Sequence, residues 1–195
     1  MIMKKITVYC GANIGADDIY KNLAQQVGKT LAQQKITLVY GGGRVGLMGI
    51  MANTAMENGG EVIGVIPHFL CTKEIENNDI TKVIKVDTMH QRKTLLNELS
   101  DAFIALPGGF GTMEELFEML TWAQLGLHSK PIGILNCKGF YDDLLAMIQK
   151  MVDKQFLKKE NQAMILCSDN IEDLLEKLRH YKAPKIKKWL GSETT

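Results

Sequence analysis

The sequence predicts an α/β fold, in which a parallel sheet is covered by helices on both faces, and three observations support it. Short apolar runs alternate with longer segments of helical period along the whole 195-residue chain. Most of these runs are apolar throughout, as expected for strands that are buried on both faces. Glycine-rich turns follow two of the runs directly, and parallel sheets bind their ligands at that end of the strands.

Three strands and two helices account for the first third of the chain. The strands cover residues 6–10, 36–40 and 62–66; one helix runs from Asp17 or Asp18 to about Gln34, and the next ends near Asn58. The turn at residues 41–46 matches GxGxxG, but dinucleotide binding also requires an acidic residue at the end of the next strand. Glu61 stands at the beginning of that strand instead. We therefore expect Gly42 and Gly43 to contact another part of a mononucleotide.

The remaining elements continue the alternation. Residues 67–81 have mixed polarity and are interpreted as a loop over the site. Further strands are expected at residues 82–86, 102–106, 131–135 and 164–167, with helices from Thr88, from Thr112, over residues 141–151, and from Asp169 or Asn170 to about His180. This pattern predicts one Rossmann-like domain over residues 1–181 and a basic tail over residues 182–195.

An arginine interrupts the apolar face of the helix that starts at Thr88. The 3–4 spacing places it among apolar side chains, on one face made of Met89, Arg92, Leu95, Leu96 and Leu99. The helix dipole does not favour a cation near the N-terminus, so Arg92 requires a fixed anionic partner. A bound ligand would supply one; Asp87 or Asp101 is the structural alternative.

Residues 107–115, with the sequence PGGFGTMEE, place a glycine turn between a buried strand and a helix. Gly108, Gly109 and Gly111 allow a ligand to approach the backbone, and the first N–H groups of the helix suit a phosphate. The alternative is purely structural: Thr112-x-x-Glu115 is a capping box and needs no ligand. A simple turn requires one glycine rather than three, which favours the ligand.

Two segments resemble motifs of one known family. PGGFGTMEE is similar to the PGGxGTxxE motif of the LOG ("Lonely Guy") proteins, long described as lysine decarboxylases, and MHQRK at residues 89–93 is similar to their MHxRK motif. The similarity continues through YGGGRVGLMG, VIGVIP and WAQLGLHSKPIGILN, over about residues 4–180. It implies hydrolysis of the N-glycosidic bond of purine nucleoside 5′-monophosphates, either AMP or N6-modified relatives such as cytokinin ribosides, giving free base and ribose 5-phosphate.

The resemblance also implies roles for individual residues. The 5′-phosphate is expected on Gly108, Gly109, Gly111 and Thr112. Glu115 would stabilise positive charge on the ribose or activate water, and Arg92 would hold the substrate and the departing base. Lys93 would support the anion, and Met89 and Glu74 would contact the substrate. Glu115 cannot serve the capping box and the reaction at once, and the sequence leaves that conflict open.

Other functions fit the sequence less well. Lysine decarboxylation normally needs pyridoxal phosphate on a lysine, and no lysine has a recognisable cofactor context. A non-catalytic nucleotide carrier of the same fold remains the main alternative, although the presence of both Arg92 and Glu115 argues against it. The net charge of +1 does not favour nucleic acid binding, even with a basic tail.

Composition and residue spacing limit the binding partners and the cellular compartment that we expect for the protein. No apolar run is long enough for a membrane span, and the four cysteines and four histidines are too scattered for a disulfide framework or a metal site. We expect no metal or cofactor and a cytoplasmic location. The helix region of residues 112–127 is apolar on more than one face, which predicts a homodimer through that surface.

Overall fold

A computed structural model describes residues 2–71 and 76–184 of the chain. Within them, seven parallel strands form one sheet in the order β4-β3-β2-β1-β5-β6-β7. The strands are β1 (Lys5–Tyr9), β2 (Thr37–Tyr40), β3 (Val62–Pro67), β4 (Lys82–Val86), β5 (Ala102–Ala105), β6 (Ile132–Leu135) and β7 (Ile165–Ser168). The predicted α/β fold, a Rossmann-like sheet with helices on both faces, is confirmed.

The helices divide between the two faces of the sheet. They are α1 (Asp18–Gln33), α2 (Gly46–Glu57), α3 (Met89–Leu99), α4 (Phe110–Gln124), α5 (Asp142–Asp153), α6 (Lys159–Gln162) and α7 (Ile171–His180). Buried side chains of α1, α2 and α7 form one core with the sheet, and those of α3 and α4 form a second core on the other face. The strands between the two cores are mostly apolar on both sides, because neither face meets water, and the buried Thr7 hydroxyl is hydrogen-bonded to Leu96 and Ser100.

The chain reverses its direction of winding at β1. From β1 it runs outward to β4, and then returns to place β5 on the other side of β1, with Tyr9 paired to Ala105. The connections after β1 and β5 therefore leave in opposite directions. In open parallel sheets this arrangement opens a crevice at the carboxyl ends of the two strands, where ligands bind.

Most predicted helix starts are confirmed, but the start of α4 is not. Asp17 caps α1, Thr88 and Gln91 form the expected capping box of α3, and Asn170 rather than Asp169 caps α7. By contrast, α4 begins at Phe110 with Gly109 as its N-cap, so the predicted capping box of Thr112 and Glu115 is wrong. Glycine can occupy an N-cap without a side-chain bond, and the helix begins two residues earlier.

The C-terminal tail, one short helix and the absence of a membrane-spanning helix from the described residues complete the description of the fold. Most of the predicted basic tail, residues 185–195, lies outside them. The short helix α6 was not predicted; it has only four residues and no long apolar period. No helix in residues 2–71 and 76–184 is both long and apolar enough to cross a membrane.

Candidate active site

A cavity of about 610 Å³ lies at the carboxyl ends of β1 and β5. The turns after these two strands each form part of the wall, the starts of α2, α3 and α4 contribute further residues, and Tyr20, Leu70 and Phe140 complete the lining. Seven of the residues singled out in the sequence line this cavity: Met89, Arg92, Gly108, Gly109, Gly111, Thr112 and Glu115. They are brought together because β1 and β5 are neighbours at the point where the winding reverses.

The three glycines of the turn after β5 differ in what a side chain would meet at their positions. A Cβ atom at Gly108 would come within 2.1 Å of Thr112 Oγ1 and 2.9 Å of the Gly11 nitrogen, so packing alone requires glycine there. A Cβ atom at Gly109 or Gly111 would meet no atom of the described protein within 4 Å. These two positions open onto the cavity at the N-terminus of α4, whose first N–H groups have no partner within the helix.

Arg92 forms an ion pair with Glu115 across the wall of the cavity. Arg92 Nη2 lies 3.4 Å from Glu115 Oε1, and the two side chains are only 11% and 12% exposed. The alternative partners suggested by the sequence are occupied elsewhere: Asp101 accepts from the backbone nitrogens of Lys4 and Lys5, and Asp87 lies 3.8 Å from His68. The unusual arginine of α3 therefore takes its anion from α4.

The carboxyl group of Glu115 is poised to exchange a proton near neutral pH. Burial raises its pKa to about 7; the Arg92 guanidinium acts in the opposite direction, and Glu114 adds to the rise. A buried carboxyl group with such a pKa can both accept and donate a proton under physiological conditions. Because α4 starts at Phe110, Glu115 has no capping role that would compete with this chemistry.

Lys93 is absent from the described residues that line the cavity. Its side chain is 10% exposed and points to α4, where Nζ lies 2.5 Å from Glu114 Oε1 and 2.9 Å from Glu118 Oε1. The structure thus places Lys93 behind the site, as a link between α3 and α4, and not beside a ligand as the sequence suggested.

Gly42 and Gly43 also lie away from the lining residues. Gly42 has a φ of 75° and its carbonyl accepts from the Asn77 nitrogen, while Gly43 forms an antiparallel bridge with Glu76. Both glycines therefore support the segment that returns toward β4. Glu74 lies outside the described residues.

Sequence reasoning missed a second part of the site. The turn after β1, residues 10–15, lines the cavity, and its signal was Gly11 directly after a buried strand, the same signal used for Gly108. Apolar side chains at the mouth had no comparable signal, because they lie in separate turns: Ile14, Val45, Phe110 and Phe140. Phe110 is 96% exposed.

Within residues 2–71 and 76–184, no group of three or more His, Cys, Asp or Glu side chains is arranged to bind a metal ion. The arrangement instead combines open backbone positions, which suit an anion, with a buried Arg–Glu pair.

The chain is similar to several known proteins. A family model described as "Possible lysine decarboxylase" matches residues 48–178. A cytokinin riboside 5′-monophosphate phosphoribohydrolase of Arabidopsis thaliana is 44% identical over 196 residues, covering 98% of this chain and 92% of that protein. A probable enzyme of the same name from Oryza sativa subsp. japonica is 46% identical, covering 91% of this chain and 79% of that protein.

Among solved structures, the chain is similar in fold to a molybdenum cofactor binding protein of Rippkaea orientalis. The TM-score is 0.68, with 22% sequence identity, over 92% of this chain and 97% of that one. At this level of identity the similarity shows the fold alone.

Proposed function

Because the chain belongs to the LOG family of cytokinin riboside 5′-monophosphate phosphoribohydrolases, we propose that it hydrolyses the N-glycosidic bond of a purine nucleoside 5′-monophosphate. The bond between C1′ of the ribose and the base breaks, and the oxygen of water bonds to C1′. One water proton finally resides on the departing base, so the products are free base and ribose 5-phosphate. The observation that carries the proposal is the buried Arg92–Glu115 pair beside the open glycine turn.

The turn after β5 would bind the 5′-phosphate. Gly109 and Gly111 leave room for the phosphate oxygens, and the N–H groups at the start of α4 would donate to them. Thr112 lies on the same wall and would add a hydroxyl donor. Binding the phosphate here would place the ribose within the cavity, toward the Arg92–Glu115 pair.

Glu115 would act at the ribose. Breaking the bond builds positive charge on the sugar ring, which a neighbouring carboxylate stabilises. The same carboxylate can take a proton from the attacking water, and a pKa of about 7 makes this efficient near neutral pH. A group that has taken this proton can then deliver it to the base, so one residue would serve both steps.

Arg92 would hold the substrate and stabilise the electron-rich departing base. Its Nε atom is buried and has no hydrogen-bond partner among the described residues, so the guanidinium keeps a donor available. Met89, whose sulfur lies 3.8 Å from Arg92 Nη1, would contact the substrate beside it. Glu74 remains a proposed contact.

The rim of the cavity favours a base that carries an apolar substituent. Ile14, Val45, Phe110 and Phe140 surround the mouth, and each is at least 41% exposed. Covering such side chains with an alkyl group contributes roughly 25 cal/mol per Å² of buried apolar area. An N6-alkyl adenosine monophosphate would gain this contribution, and AMP would be the poorer substrate.

We further propose a cytoplasmic homodimer. The four cysteines are free thiols, as expected in a reducing compartment. The helix α4 and the turn after it expose apolar side chains, including Leu125 and Leu127, which suits an interface between two copies.

The decisive experiment measures product formation from AMP and from isopentenyladenosine monophosphate by chromatography. The wild type is expected to release free base from both, and faster from the second. Glu115→Gln keeps the size of the side chain and is expected to lose this activity while still binding nucleotide. Binding without base release by the wild type would refute the hydrolase proposal and favour a carrier of the same fold.

A further inference from the structure

Gly41 follows β2 directly and lies against the guanidinium group of Arg92. A Cβ atom at this position would come within 2.1 Å of Arg92 Nη2 and 3.2 Å of Cζ. Non-bonded heavy atoms do not approach so closely, so the guanidinium occupies the space that any other side chain would need. We propose that Gly41 is a positioning residue for Arg92: its missing side chain lets the guanidinium lie against the backbone and meet Glu115. The catalytic part of this inference rests on the proposed function.

The backbone conformation does not require glycine at position 41. Its neighbours Gly42 and Gly46 have φ values of 75° and 63°, which other residues rarely adopt. Gly41 is not among the positive-φ residues of the described chain. Alanine at position 41 would therefore be free of backbone strain, and the conflict would arise only from the side chain of Arg92.

The surroundings of Arg92 determine what that conflict would do. Glu115 Oε1 lies 3.4 Å from Nη2, Met89 sulfur lies 3.8 Å from Nη1, and the side chain is 11% exposed. The closest clash involves the far end of a flexible side chain rather than a fixed backbone atom. The guanidinium would move away, and the fold would remain. Gly41→Ala thus displaces Arg92 without removing it.

Displacement of Arg92 has a consequence for Glu115 that can be measured without substrate. Arg92 holds the pKa of Glu115 below the value that burial alone would give, so moving the guanidinium away raises that pKa. The other ionisable groups that act on this carboxyl are Lys93, Glu114 and Glu118. Tyr9 and Cys10 of the neighbouring strand are buried and remain neutral, because burial raises the pKa of each. Gly41→Ala changes the contribution of Arg92 to the Glu115 pKa and leaves the contributions of the other groups unchanged.

The test compares Gly41→Ala, Arg92→Ala, the double variant and a control. Gly133→Ala is the control, because Gly133 lies in β6 outside the cavity lining, has no positive φ, and the three atoms nearest to its Cβ position all belong to the side chain of Leu174. Two quantities are measured: the pKa of Glu115 by carbon NMR of the free protein, and kcat/KM for nucleotide hydrolysis. We expect Gly41→Ala to raise the Glu115 pKa in the same direction as Arg92→Ala.

The activity should follow the same pattern. Gly41→Ala and Arg92→Ala are each expected to lose about 100-fold in kcat/KM, as when one transition-state donor is removed. The double variant should resemble Arg92→Ala, because the clash disappears with the guanidinium. If Gly41→Ala keeps both the wild-type pKa and the wild-type activity, the inference is overturned. If the wild type hydrolyses no nucleotide but the pKa shifts agree, the positioning of Arg92 stands and only the proposed function fails.

Discussion

Glu115 is the residue at which burial and charge most directly affect the expected chemistry. Its pKa of about 7 predicts that kcat/KM rises with pH through that value, because the ionised form stabilises charge on the ribose and accepts the proton of water. Glu115→Gln cannot ionise, so its residual activity should be roughly 100-fold to 10,000-fold lower and should lack this rise. The measurement is base release between pH 5 and pH 9.

Glu98→Gln provides the matched control for this pH profile. Glu98 is an exposed residue of α3, away from the lining of the cavity, and its loss should leave the rise near pH 7 unchanged. A wild-type profile that is flat between pH 6 and pH 8 would contradict the role of the Glu115 carboxylate.

The sequence identified both Arg92 and Glu115 as candidate site residues but did not predict that they form an ion pair. Arg92 was conspicuous because a cation interrupts an apolar helical face, which is a local pattern. Its partner stands on another helix, and which side chains meet across two helices depends on how both pack on the sheet. The same limit applies to Lys93, which is adjacent to Arg92 in sequence yet points to Glu114 and Glu118.

At the scale of the element, the turn before α4 contains two kinds of glycine: Gly108 is needed for packing, whereas Gly109 and Gly111 are open to a ligand. Gly111→Ala introduces a side chain into open space at the start of a helix, where alanine is favoured by about 0.5–1 kcal/mol. We expect it to fold at least as stably as the wild type. The added methyl group would occupy the proposed phosphate position and raise KM by roughly tenfold, or about 1.4 kcal/mol.

Gly108→Ala is the complementary variant. Its Cβ atom would contact both Thr112 and the backbone of Gly11, so a loss of roughly 1–3 kcal/mol of stability is expected from overpacking. Thermal unfolding and steady-state kinetics on both variants separate the two effects. Equal destabilisation of the two proteins would mean that Gly111 is also a packing residue.

The start of α4 shows why element boundaries were only partly predictable. A threonine followed three residues later by glutamate is the pattern of a capping box, which predicted a helix start at Thr112. A glycine N-cap has no side chain and leaves no such pattern, so the true start at Phe110 was hidden. At Thr88 the corresponding pattern, with Gln91 in place of glutamate, marked the boundary correctly: the Thr88 side chain accepts from the Gln91 nitrogen, and the Gln91 side chain accepts from the Thr88 nitrogen.

At the scale of the whole molecule, the sequence predicted the layers of the fold but not the order of the strands. Alternating strands and helices require parallel strands, whichever order they take. The order decides which turns meet: those after β1 and β5 share the crevice, and the turn after β2 reaches it with Val45 but not with Gly42 or Gly43. This is why Gly11 lines the cavity together with Gly108, although the sequence alone did not bring the two turns together.

The assembly is the last property to test. The end of α4 and the turn after it carry Leu125 and Leu127, which are 52% and 66% exposed. A stable interface buries about 1,200–2,000 Å² in total, and its centre is depleted of charge. We expect the wild type to be a dimer by light scattering coupled to size exclusion, and the double variant Leu125→Glu with Leu127→Glu to be monomeric, because two carboxylates would lose their hydration in the interface.

Phe156→Glu is the control for this experiment. Phe156 is 87% exposed but lies outside the predicted region of residues 112–127, so its replacement should leave the dimer intact. If Phe156→Glu alone dissociates the dimer, the interface lies on the surface beyond α5 and not on the region of residues 112–127. A wild type that is monomeric at every concentration measured would refute the dimer, and the apolar residues after α4 would then need another explanation.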